Sequence, residues 1–123
     1  MKVIYCLRRL PTLSPEEFRR YWFEVHGPLV HAHRRELRIA RYVQVHTETG
    51  PLLDKLRAFR GSPEPYDGVA EIWYESREAL ETVGRDPAGR AASLKLRDDE
   101  RRFVDCGQSP IWFGDEKTVI EAG

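Results

Sequence analysis

Pro28 falls inside a stretch, Phe18 to His33, that otherwise reads as a single amphipathic helix. Proline offers no N–H to the carbonyl four residues back, here that of Glu24, so the segment must kink and leave polar groups in need of partners beside His26. Upstream, the start of this helix is well marked. Ser14 is an N-cap, Pro15 fills the first turn where its missing donor is harmless, and Glu17 completes a capping box. Phe18, Trp22, Val25 and Leu29 follow on one stripe, which predicts a buried face. Kinks of this kind edge pockets, and an imidazole with an ordinary pKa near about 6.5 serves there as acid or base. His26 is the leading candidate for chemistry, set against the plainer reading of a hydrogen-bonded histidine at a kink.

Around this helix the chain alternates between the two hydrophobic periods. Val3, Tyr5 and Leu7 alternate with Lys2, Ile4, Cys6 and Arg8, which predicts a strand. Ile39 to Thr47 predicts a second, with Ile39, Val43 and Val45 on one side and Ala40, Tyr42, Gln44 and His46 on the other. Asp67 to Tyr74 predicts a third, with Val69, Glu71 and Trp73 opposed to Ala70, Ile72 and Tyr74. Gly50 to Pro65 mixes an apolar pattern with Gly61, Pro63 and Pro65, and reads as a loop with one or two helical turns. Ser76 caps a helix carrying Ala79, Leu80 and Val83, and Asp86-Pro87 opens another running to about Arg102. Phe103-Val104, Ile111 to Phe113 and Thr118 to Ile120 form a final extended region. The order β-α-β-β-α-β is the ferredoxin-like arrangement, α+β, with helices on one face of an antiparallel sheet. Tyr5, Tyr42, Trp73 and Glu71 are expected on the uncovered face, where an apolar patch predicts a homodimer made by pairing two sheets.

The chain of 123 residues suits one domain, 1–123, and its 20 basic and 20 acidic residues leave no field to draw it onto nucleic acid or an anionic membrane. The basic run around His33-Arg34-Arg35 is interrupted by Glu36 and reads as a solvated helix end. No segment approaches the roughly 20 apolar residues that span a bilayer, and a cytoplasmic location is expected. Cys6 and Cys106 lack any metal-binding or redox spacing and read as reduced thiols.

Taken together, the strand Met1 to Tyr5, the helix Phe18 to Trp22 with His26-Gly27-Pro28-Leu29-Val30, the strand Tyr66-Asp67-Gly68-Val69-Ala70-Glu71-Ile72-Trp73, and the segment Asp98-Asp99 to Phe103-Val104-Asp105 resemble the EthD domain family over nearly the whole chain. The resemblance implies a dimeric α+β barrel: two ferredoxin-like protomers with facing sheets, each holding a cavity between sheet and helices. The family is named for a small protein needed in bacterial ether degradation beside an oxygenase system. Similar domains act as cyclases, dehydratases or decarboxylases in polyketide pathways, and related barrels include muconolactone-type isomerases and haem-degrading monooxygenases. The family motifs place His26 in the His-Gly-Pro element and Asp67 and Glu71 in the Asp-Gly-x-x-Glu strand.

Acid–base work on a carbon acid or lactone needs one tunable group near the substrate proton and a donor for the developing oxyanion. The expected catalytic set is His26, Glu71 and Asp67, with Tyr5, Tyr42, Arg8 or Arg41 as polarising donors. Tyr5, Trp22, Tyr42, Trp73 and Trp112 are expected to bind a small hydrophobic metabolite. The plainer alternatives are an ion-paired Glu71, and core or interface packing for Trp73 and Trp112. His31 and His33 would project about 200° apart on a helix and cannot share a metal. No metal or other cofactor is expected, haem on His26 being an analogy to the related barrels only, and nucleotide-binding motifs are absent. The expected function is a cofactor-free acid–base enzyme of the isomerase, cyclase, dehydratase or decarboxylase type. The alternative is a non-catalytic accessory or ligand-binding protein supporting an oxygenase or oxidoreductase system.

Overall fold

The computed structural model describes all residues, 1–123. Its elements run β1 (Lys2–Leu7), α1 (Pro15–Tyr21), a π-helical turn (Trp22–His26), α2 (Gly27–Ala32), β2 (Ile39–His46), α3 (Pro51–Arg60), β3 (Gly68–Tyr74), α4 (Arg77–Val83), α5 (Pro87–Glu100) and β4 (Ile111–Gly114). The four strands form one antiparallel sheet in the order β2-β3-β1-β4. This is an α+β, ferredoxin-like fold, and no helix is long and apolar enough to cross a membrane.

The capping box forms as the sequence dictates: the Glu17 N–H donates to Ser14 Oγ, and the Ser14 N–H to Glu17 Oε1. Pro28 does not break the helix. One wide turn absorbs it: the N–H of Gly27 reaches the carbonyl of Trp22, five residues back. That carbonyl also accepts a bond of 2.9 Å from the Gln44 side chain of β2, so the irregular turn is tied to the sheet edge.

Strand register decides which residues share a face, since directly opposed residues in an antiparallel pair point the same way. Tyr5 lies opposite Ala70, and Tyr42 opposite Ile72, on the helix-covered side. Glu71 and Trp73 point the other way, with Ile4 and Val43. The expectation that Tyr5, Tyr42, Glu71 and Trp73 share one open face is therefore corrected. A further correction concerns β2, where an irregularity between Ile39 and Arg41 turns Ile39 onto the side of Tyr42 and Gln44.

Phe18, Trp22, Leu7, Ala70, Phe103 and Val104 form the main core beneath the sheet. Removing a buried ring of this kind costs about 3–5 kcal/mol. Gly68 is required there: a Cβ on it would collide with the Trp22 indole and press on the Val45 carbonyl. A smaller cluster of Leu37, Val83 and Ala92 joins α4 and α5 to the start of β2.

Two segments depart from expectation. Gly50 to Pro65 holds a ten-residue helix, α3, rather than a loop with one or two turns, and no α3 side chain is buried. Thr118 to Ile120 joins no strand, and Val119 and Ile120 are exposed. α3 contributes nothing to the core, its Leu53 and Arg57 being only half-buried and Arg57 pairing with Glu64, and the tail pairs with no strand.

Candidate active site

The helix-covered face does not pack solidly against the helices. A cavity of about 620 Å³ lies between them, walled mainly by apolar side chains. Tyr5, Trp22, His26 and Tyr42, all expected at the site, border it; Trp112 touches it only as part of β4, since its partner Ile4 puts the indole on the open face. Its other polar residues are Tyr74, Ser93 and Glu100, and no lysine or arginine lines it.

His26 sits where the π-helical turn gives way to α2, and Phe103 packs against its ring at 5.0 Å. The residue is only 5% exposed, so the cavity supplies its free surface. Its Nδ1 lies 2.8 Å from Asp99 Oδ2, and the other oxygen of Asp99 accepts a 2.5 Å bond from the Tyr21 hydroxyl. The carboxylate is thereby anchored on both sides, which fixes the ring. Burial pushes the imidazole below its ordinary value, and Asp99 opposes that shift. A neutral ring donating through Nδ1–H to Asp99 leaves the Nε2 lone pair as its reactive edge.

Glu100, the next residue, carries the opposite shift. Burial, first, pushes its carboxyl up to about 7, the nearby Tyr5 hydroxyl works against the rise, and the charge of Asp99 adds to it. Tyr5 and Tyr74 are in turn pushed up, first by burial and then by the Glu100 charge. The cavity thus holds an imidazole that burial keeps neutral beside a carboxyl that burial inclines to hold its proton, two groups of opposite chemical character in one apolar space.

Tyr42 completes the polar set. His46 Nε2 lies 2.8 Å from Gln44 Oε1, which turns the amide so that Gln44 Nε2 donates to the Trp22 carbonyl at 2.9 Å and to the Tyr42 hydroxyl oxygen at 3.1 Å. The Tyr42 oxygen is thus an acceptor within the protein, and its own proton is free for a ligand. His46 also stacks on the Trp22 indole at 4.4 Å, bracing the chain of bonds.

Three expected site residues lie elsewhere. Glu71 is paired with Lys2 at 2.7 Å on the open face, as strand alternation requires. Trp73 lies between Lys2 and Arg41, whose charges stand 4.8 and 4.6 Å from its ring, and donates to Glu116 of the C-terminal segment. Asp67, immediately before β3, accepts from the backbone N–H and the guanidinium of Arg9, both at 2.9 Å. Asp67-Gly68 therefore locks the Arg9 loop and makes room for Trp22. Of the expected polarising arginines, Arg8 donates to the Pro65 carbonyl, and neither it nor Arg41 reaches the cavity. No group of three or more metal-ligating side chains converges anywhere.

Asp99, Glu100, Tyr21 and Tyr74 are site residues that sequence reasoning missed. A signal for two of them exists: Asp98-Asp99-Glu100 places three acids at the C-terminal end of α5, where the helix dipole disfavours negative charge. Such a run needs another reason to be there.

The structure is similar to several solved ones. An ethyl tert-butyl ether degradation (EthD) family protein from Bacillus halodurans aligns with a TM-score of 0.61 at 19% identity, covering 94% of this chain and 97% of that one. HapK from Hahella chejuensis aligns with a TM-score of 0.58 at 13% identity over the full length of both. A dimeric protein of unknown function and ferredoxin-like fold from Bacteroides fragilis aligns with a TM-score of 0.54 at 9% identity, covering 90% of each. At these identities the likeness establishes the fold. No curated protein sequence matches. The EthD domain model matches residues 10–107, most of the chain, and the protein belongs to the EthD domain family.

Proposed function

We propose that this protein is an acid–base enzyme that moves a proton on a small hydrophobic metabolite using only its own side chains, with His26 as base and Glu100 as acid. The observation that carries this reading is the buried His26–Asp99 pair at the wall of an apolar cavity that also holds a carboxyl of near-neutral pKa. In the step envisaged, His26 Nε2 takes a proton from the carbon beside a carbonyl, and Asp99 stabilises the imidazolium. The carbon–hydrogen electron pair moves to the carbonyl, whose oxygen takes the proton of Glu100. Return of a proton from the imidazolium to another carbon, and of the enol proton to Glu100, completes an isomerisation with no other reactant. Tyr42 supplies the oxyanion donor.

The reading includes a homodimer formed through the open sheet face, acting in the cytoplasm. The dimeric ferredoxin-like neighbour supports that assembly, as does the exposure of Val45 on this face. The low exposure of His26 favours a second reading, a non-catalytic accessory protein that holds a metabolite for an oxygenase system.

His26→Gln separates the two. Wild type and variant are assayed on a panel of lactones and polyketide-like enols, with Tm as the control for folding. A loss of about 10²–10⁴ in rate with the fold intact is expected. Unchanged turnover in a folded variant excludes His26 as the catalytic group, and absence of turnover in both favours the accessory protein.

A further inference from the structure

We propose that Glu100 is the specificity determinant of the cavity, confining it to uncharged carbonyl or phenolic compounds and excluding carboxylates. The inference deepens the acid–base reading by naming its substrate class, and it rests on the same cavity.

A site for an anion needs a cation or a cluster of inward N–H donors to replace the water the anion gives up. None of the residues lining this cavity is a lysine or arginine. Its walls are apolar, and the polar groups aimed into them are hydroxyls, an imidazole and one carboxyl. Tyr5 from β1, Tyr42 from β2 and Tyr74 from β3 all feel the Glu100 carboxyl from the sheet side. From the helix side its charged neighbour is Asp99, an anion itself, and burial holds His26 below its ordinary value. Cys106 acts on Tyr5 and adds no positive charge. A ligand carboxylate here would meet a second carboxylate in a poorly screened space with no compensating cation. A ketone or phenol meets no such penalty, and the free proton of Tyr42 provides a hydrogen bond for its oxygen.

Glu100 controls the exclusion through its own ionisation. With a pKa pushed up to about 7, it is mostly charged at pH 8 and mostly neutral at pH 6. Selection against anions should weaken over that interval.

Two probes of nearly equal shape test this: 2-acetylnaphthalene, an uncharged ketone, and 2-naphthoate, the corresponding carboxylate. Their dissociation constants are read from quenching of the tryptophan fluorescence of the whole protein, the buried Trp22 bordering the cavity. At pH 8 the ketone is expected to bind about 10-fold or more tightly than the carboxylate. The gap should shrink to about 3-fold or less in Glu100→Gln, and should narrow in the wild type at pH 6. Equal affinities at pH 8 would overturn the proposal, as would a gap undiminished in folded Glu100→Gln or failure of both probes to bind. Should the variant not fold, a wild-type gap unchanged between pH 8 and pH 6 overturns it equally. The readout is binding, so a protein without turnover would defeat the acid–base reading and leave this result standing.

Discussion

Asp99 Oδ2 lies 2.8 Å from Nδ1 of His26, a residue seventy-three positions earlier in the chain, and nothing but the folded packing of α5 against the π-helical turn brings the two together. The carboxylate both orients the ring and stabilises the imidazolium that proton abstraction would create. In Asp99→Asn the amide oxygen can still accept from Nδ1–H, while the charge is lost. Turnover is expected to fall about 10²-fold or more, with Tm little changed, in a paired kinetic and thermal-melt comparison. Asp99→Ala should instead lose about 1–3 kcal/mol of stability, because the Tyr21 hydroxyl and His26 Nδ1 both lose their partner.

The shifts of His26 and Glu100 bound stability from opposite sides. Below about pH 6.5 the unfolded chain protonates His26 before the folded one does, so stability is lost as pH falls. Glu100 acts the other way. Its folded pKa of about 7 lies above the ordinary 4.5, so the unfolded chain ionises first and stability is lost as pH rises between those values. Glu100→Gln removes the second loss. Urea denaturation should find the variant more stable than wild type by roughly 1–3 kcal/mol at pH 8 and little different at pH 4.

Val45 is 46% exposed on the open face of β2, the surface through which the homodimer is proposed to form. A buried glutamate there would lack a partner charge. Light scattering at micromolar concentration should give a dimeric mass for wild type and a monomeric one for Val45→Glu. A monomeric wild type at every concentration would sink the barrel assembly.

The fold was legible because each element carries its own local evidence. The Ser14 capping box, the alternation in β1 and β3 and the N-cap at Ser76 all act within a few residues, and each forms as written. The site was half legible. His26 stood out through Pro28, and Tyr5, Trp22 and Tyr42 through their bulk, but the Asp-Gly-x-x-Glu pattern drew Glu71 and Asp67 into a role that strand alternation and the Arg9 contact do not support. Asp99 and Glu100 were hidden because their partners, His26 and Tyr5, come from the opposite end of the chain. The face of Ile39 turned on the irregularity in β2, which no pattern of apolar residues announces.

The single amide of Gln44 is a strut. It joins the Trp22 carbonyl, which the Gly27 N–H also holds in the wide turn before Pro28, to the Tyr42 hydroxyl, so the edge strand and the wide turn are held at one fixed spacing. The span of the chamber beside them is therefore set by a side chain that need never touch a ligand, and a shorter residue at this position would alter the girth of what fits inside rather than its chemistry.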